Sequence, residues 1–154
     1  MARKRRLLIL GPSFRRDKSD GVLPAVERYD GLFFRIVRKY LSIVRDVDVL
    51  VMRDDLVLVD SRAPLPYSPP EGEKWGSRSL SEDIIKKAGE RNIVVFSEKL
   101  MKGRYLEIFV AMGKRYAKAL PDLSQFDVKV IFPVGGGGQG PKARALKEWL
   151  SKGR

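Results

Sequence analysis

Residues 7–10, Leu-Leu-Ile-Leu, are four consecutive apolar positions held between the basic Arg3-Lys4-Arg5-Arg6 and the breakers Gly11-Pro12. A run this short, with charge on one side and a turn on the other, reads as a buried strand, because an amphipathic helix spaces its apolar residues by three and four. The chain enters its core almost at once, and the rest must supply partners for that strand. Residues 11–25 are read as a loop carrying Arg15, Arg16 and Lys18, since Gly, Pro, Asp and Ser recur and no period survives.

Further along, apolar runs alternate with helical spacings. Asp30 is read as the N-cap of a helix over residues 30–45, whose Leu32, Phe33, Ile36, Val37, Tyr40, Leu41 and Val44 share one face. Residues 47–52 and 56–60 read as two strands, a hairpin around Arg53-Asp54-Asp55. Residues 61–78 hold four prolines and two glycines and are expected to form a Pro-rich loop displaying Tyr67 and Trp75. Ser81 is expected to cap a short helix through Arg91, followed by a strand over 93–96 and a long helix from about Ser97 to Leu120, stopped by Pro121. A last strand over 128–134 runs into Gly135-Gly136-Gly137-Gly138-Gln139-Gly140, and Pro141 opens a final helix with Ala143, Leu146, Trp149 and Leu150 on its buried stripe.

Strands alternating with helices predict an α/β fold. The expectation is a three-layer sandwich: a largely parallel, Rossmann-like sheet of four or five strands with helices on both faces. All 154 residues are read as a single domain, with residues 1–6 a basic amino-terminal tail.

Composition narrows the chemistry. The chain has no Cys and no His, which excludes disulfides, thiolate nucleophiles, zinc-finger ligand sets and imidazole general bases. No metal site and no cofactor are expected. No apolar run approaches the roughly 18 residues of a membrane span, and the apolar stretch after the basic start is too short for a signal-peptide core, so a cytoplasmic protein with no membrane partner is expected. High charge, absent Cys, and 17 Arg to 14 Lys lean toward a thermophilic origin. Thirty-one Lys and Arg against 19 Asp and Glu leave a net charge of +12, which favours polyanionic partners, RNA or DNA, or a nucleotide-like small molecule.

In an open α/β sheet, ligands sit beyond the carboxyl ends of the strands. That rule nominates the loop over 11–20, the turn at 53–55 or the Pro-rich segment, Ser97-Glu98, and the glycine run. In the run, Gly135, Gly136, Gly137, Gly138 and Gly140 either let backbone N–H groups approach a phosphate or form a structural turn. It is neither a Walker motif nor a dinucleotide fingerprint. Arg15, Arg16 and Lys18, with the basic start, are read as polyanion contacts or as a solvated surface, and Arg35, Arg38 and Arg45 could extend that footprint along a helix edge. Tyr67 and Trp75 either stack on a base or pin their loop to the core. Asp54 and Asp55 read as a turn carrying surface charge, or as a carboxylate pair for Mg²⁺ or acid–base work. Lys18 is the candidate amine nucleophile should Arg15 and Arg16 crowd it.

Taken in order, the opening strand, a polar loop with Lys18, Pro24-Ala25-Val26-Glu27-Arg28-Tyr29 before Leu32-Phe33, then Pro66-Tyr67, and a glycine-rich turn before a Leu- and Trp-bearing last helix resemble a family of small domains. These are domains related to the YaaA-like proteins and to one domain of archaeosine synthase. Relatives carry a Cys-Ser pair where Pro12-Ser13 stands here, and a Ser-x-Lys-Tyr-Gly type segment where this chain has residues 52–56. In archaeosine synthase a loop lysine attacks the nitrile of a deazaguanine base in transfer RNA. Matching that lysine to Lys18 requires an insertion, and the accompanying Lys-Pro-Tyr and His are not present. The resemblance implies work around nucleic acid or modified bases.

The resulting expectation is a domain that binds nucleic acid or a nucleotide-like ligand, phosphate lying on residues 135–140 and the Arg15-Arg16-Lys18 loop, which must then open onto one rim of the sheet. The alternatives are a base-modifying or nucleotide-processing enzyme using Lys18, and a subunit whose basic face docks an acidic protein.

Overall fold

A computed structural model describes residues 5–13, 15–67, 81–132 and 139–152. In chain order the elements are β1 (Arg5–Leu10), β2 (Val22–Pro24), α1 (Ala25–Arg28), α2 (Leu32–Leu41), β3 (Val47–Met52), β4 (Leu58–Asp60), β5 (Pro64–Pro66), α3 (Glu82–Lys102), β6 (Tyr105–Ala111), α4 (Lys114–Ala117), a 3-10 turn (Leu123–Gln125), β7 (Lys129–Ile131) and α5 (Gln139–Ser151). Five strands form one mixed sheet in the order β4-β3-β1-β6-β7. All neighbours are parallel except the β3–β4 hairpin.

The apolar opening run becomes the central strand. Leu7 to Leu10 are fully buried, and β1 pairs with β3 on one side and β6 on the other. Because successive strand side chains point to opposite faces, the run splits between two apolar clusters. Leu8 and Leu10 pack with residues of α1, α2 and α5, while Leu7 and Ile9 pack with Ile85, Ala88 and Phe96 of α3. Burying each such side chain is worth about 1.5–3 kcal/mol. Among the described residues no helix is long and apolar enough to cross a membrane.

The largest departure from the sequence reading lies between 81 and 120. Residues 82–102 form one helix, not a helix and a strand, and Ser97-Glu98 lies inside it rather than on a loop. Ser81 is its N-cap, accepting from the Ile84 N–H at 3.2 Å. Ile85, Ala88, Asn92 and Phe96 are its buried positions, a helical spacing that runs through the β-branched 93–95. The Asn92 amide donates to the carbonyls of Leu56 (2.8 Å) and Ala119 (3.0 Å) and accepts from the Leu58 N–H (3.1 Å). It thereby ties α3 to the β3–β4 turn, where Leu56 takes a left-handed φ of 68°. Residues 105–111, expected in a helix, are strand β6, because pairing with β1 along its length outweighs the local helical spacing. Within it Ala111 is buried, and Glu107 accepts from the Trp149 indole N–H at 2.6 Å.

Smaller corrections follow the same logic. The loops over 11–25 and 61–78 contribute β2 and β5, which pair antiparallel. Gly31, not Asp30, occupies the N-cap of α2. Arg5 and Arg6 belong to β1 rather than to a tail. Gly140 and Pro141 lie within α5.

Candidate functional site

The chain passes from β1 to β3 on one side and only later crosses to β6 on the other, so the order in which parallel strands are added reverses at β1. The carboxyl ends of β1 and β6 therefore form the switch point at which open α/β sheets bind ligands. A cleft of about 550 Å³ lies there, lined by residues 11–13 and Arg15 after β1, Asp30 and the first turn of α2, and Met112, Gly113 and Tyr116 after β6. Two glycines let its walls meet. A Cβ on Gly11 would lie 2.7 Å from Met112 Cβ, and one on Gly31 would lie 2.8 Å from Ser13 Cβ.

The α2 terminus gives the cleft its chemistry. No side chain caps the helix through the Gly31 N-cap, and no acidic residue lies in its first turn. The Gly31 N–H is taken by Ser13 Oγ at 3.2 Å, and Ser13 in turn donates to the Arg15 carbonyl at 2.5 Å. Among the described residues the N–H groups of Leu32, Phe33 and Phe34 have no acceptor. They carry the partial positive charge of a helix start. Arg15 and Arg35 flank them with side chains 70% and 49% exposed. Asp30 is the one acid among the described lining residues. Hydrogen bonds from Arg35 first, then Arg38, hold its carboxyl below the usual carboxylate range despite partial burial. Its charge is largely offset by those two arginines and by Arg15 at 3.8 Å. The arrangement can hold an anion.

Beside the cleft, Arg16 is a brace. Its side chain is 3% exposed, chelates the Asp54 carboxylate (Nη2 to Oδ1 2.8 Å) and stacks 5.2 Å from the Tyr29 ring centre. The Tyr29 hydroxyl donates to Asp54 Oδ1 at 3.1 Å, and burial, then the Asp54 charge, pushes its pKa well above 10. Arg28, 1% exposed, donates to the carbonyls of Asp17, Ser19, Gly21 and Leu65, and so stitches the loop after β1 to β5. Asp54 is thus an anchor, while Asp55 pairs with Arg53 at 2.8 Å on the surface. These residues line a smaller hollow of about 160 Å³.

The expected site residues fall into distinct places. Arg15 lines the cleft, Arg16 is engaged behind it, and Lys18 is exposed on the same loop but does not line the cleft. Tyr67 is half-buried, 5.9 Å below the Arg28 guanidinium. Trp75, Gly135, Gly136, Gly137 and Gly138 lie outside the described residues, and Gly140 is exposed in the first turn of α5. Because β1, β6 and β7 are parallel, the chain leaves β7 toward the glycine run at the same end of the sheet at which β1 gives way to the Arg15 loop. Arg5 and Arg6 sit at the other end, roughly 16 Å away at about 3.3 Å per residue. Of the helix-edge arginines, Arg35 and Arg38 hold Asp30, and Arg38 also donates to the carbonyls of Val26 and Tyr29. Missed in the sequence reading were the α2 amides and Tyr116, the first for lack of a three-dimensional partner and the second because it was assigned to a helix interior. Among the described residues no group of three or more His, Cys, Asp or Glu gathers to hold a metal. Comparison with protein-family models, curated proteins and solved structures finds no match for this chain.

Proposed function

We propose that the protein binds the phosphate of a nucleotide-like ligand, free or at the end of an RNA or DNA strand, in the cleft between β1 and β6. One observation carries this reading: three α2 amides without acceptors among the described residues start a helix at a switch-point cleft flanked by Arg15 and Arg35, with no acid in the helix's first turn. The distribution of charge favours a compact ligand over a long polyanion track. Arg6, Arg16 and Arg28 are buried and engaged internally, so these three cations add nothing to a surface track. Lys18 lies outside the cleft lining, so binding is favoured over amine chemistry. We read the sheet, with α2 and α5 in one apolar cluster and α3 in the other, as a Rossmann-like three-layer sandwich of a cytoplasmic protein, and the chain as a relative of the YaaA-like and archaeosine-synthase-related domains.

Calorimetric titration with AMP at low salt tests the reading. Binding should weaken as salt rises, and Arg15→Ala and Arg35→Ala should each lower affinity about threefold to tenfold, as expected for a charged hydrogen bond at a partly exposed site. An affinity indifferent to both substitutions, or no binding at millimolar AMP, contradicts it.

A further inference from the structure

A phosphate can reach this cleft in two chemical forms: a terminal monoester with three free oxygens, or an internal diester with two and a chain leaving on both sides. We propose that the cleft selects the terminal phosphomonoester, and that the Tyr116 hydroxyl is the donor that makes the selection. The inference deepens the anion-binding reading and rests on it.

Tyr116 is 9% exposed and lines the cleft from the segment that follows β6. Among the described residues its hydroxyl has no hydrogen-bond partner, unlike two other substantially buried phenols of the molecule. Tyr29 bonds to Asp54, and Tyr105 donates to Asp48 Oδ2 at 2.6 Å. Buried polar groups almost always have partners, and one without marks a place where a ligand or water completes the pairing. Burial, and then the Asp54 charge, pushes the Tyr116 pKa up to about 12, so at neutral pH the group is a donor awaiting an acceptor.

Its placement supplies what the other donors lack. Tyr116 packs in the apolar cluster on the α3 face, whereas the first turn of α2 belongs to the opposite face, and Arg15 comes from the loop between them. Donors therefore come from three separate elements, matching the three terminal oxygens of a monoester. Gly11 and Met112 approach closely where β1 and β6 end, a Cβ on Gly11 falling 2.7 Å from Met112 Cβ, so the two strand ends stand side by side beneath these donors. A diester, with two free oxygens, would leave one donor set unpaired.

The test titrates wild-type protein and Tyr116→Phe with AMP and with a short oligoribonucleotide made with and without a 5′-phosphate, with thermal unfolding of both proteins. Wild type should bind the monoesters at least about tenfold more tightly than the unphosphorylated oligonucleotide, the discrimination expected when a site's donors are left unpaired. Tyr116→Phe should lose about fivefold for the monoesters, leave the unphosphorylated strand unchanged, and keep or raise the melting temperature. Tight AMP binding alone identifies a free nucleotide, and equal binding of AMP and the phosphorylated strand identifies a strand end. Both uphold the proposal. Equal affinity for the two oligonucleotides, unchanged monoester binding by Tyr116→Phe, or its marked destabilisation overturns it. If wild type binds no phosphate compound at all, the anion-binding reading fails first, a result distinct from these.

Discussion

The two rims of the sheet use the same side chain in opposite ways. At the amino rim, Arg6 is 7% exposed in its side chain, forms a two-point contact with Asp46 (2.9 and 3.0 Å), donates to the Trp149 and Leu150 carbonyls at the end of α5, and stacks on the Trp149 ring at 4.7 Å. There the guanidinium is the cap of a helix carboxyl end, where positive charge is favoured. At the carboxyl rim, Arg15 and Arg35 are 70% and 49% exposed and stand beside a helix amino end whose first N–H groups have no acceptor among the described residues. One rim is closed by its own charges and the other is left open for a ligand's. Net charge alone would have treated these arginines as equivalent.

The contrast can be broken most forcefully at the closed rim. Arg6→Ala removes the two-point contact to Asp46 and the buried donors to the α5 carbonyls, and should cost about 3 kcal/mol in urea denaturation, the scale for removing one partner of a buried ion pair, while leaving AMP affinity unchanged. Alkaline titration comes next. Tyr29, Tyr105 and Tyr116 all have raised pKa values, chiefly through burial, so the folded state holds their protons where the unfolded chain releases them. Their contribution is complete below the unfolded value near pH 10 and is lost as pH rises toward the folded values, so stability measured by chemical denaturation should fall steadily above about pH 10. A flat profile would show that these phenols are solvated. The smallest effect sharpens the comparison at the open rim. Asp30→Asn should cost about 0.5–1 kcal/mol after solvent screening of its arginine contacts, yet raise AMP affinity a few-fold by removing the acid from the cleft lining. The carboxylate's lowered pKa implies the same trade on acidification, its stabilisation being present at neutral pH and lost as pH falls through the lowered value. Parallel losses of stability and affinity would show instead that Asp30 shapes the site.

Much of the frame was legible. The buried opening strand, the β3–β4 hairpin, the apolar face of α2 and the stripe of α5 each follow from a period that local residues state clearly. The 81–120 region was not, because the β-branched 93–95 sit on a helix and the apolar 105–111 fit a helical wheel as well as a strand. Gly103, the C-cap of α3, was the available signal, with Lys99 and Lys102 in the preceding turn. Losing that boundary hid Met112, Gly113 and Tyr116 from the site. The rule that ligands bind at strand carboxyl ends did nominate the Arg15 loop. It could not separate Arg15 from its neighbour, because which one turns inward is decided by the bridge between Arg16 and Tyr29, a contact between distant parts of the chain.

Where an anion lands decides between an open carboxyl rim and a diffuse basic surface. A backbone-amide NMR titration with AMP reads this directly: shifts should concentrate at Leu32, Phe33 and Phe34, with Gly11, Ser13, Met112 and Gly113 following, and silence at Asp46 and Val47 on the amino rim. Shifts centred on the amino rim, spread evenly over the basic surface, or missing from the first turn of α2 would contradict it.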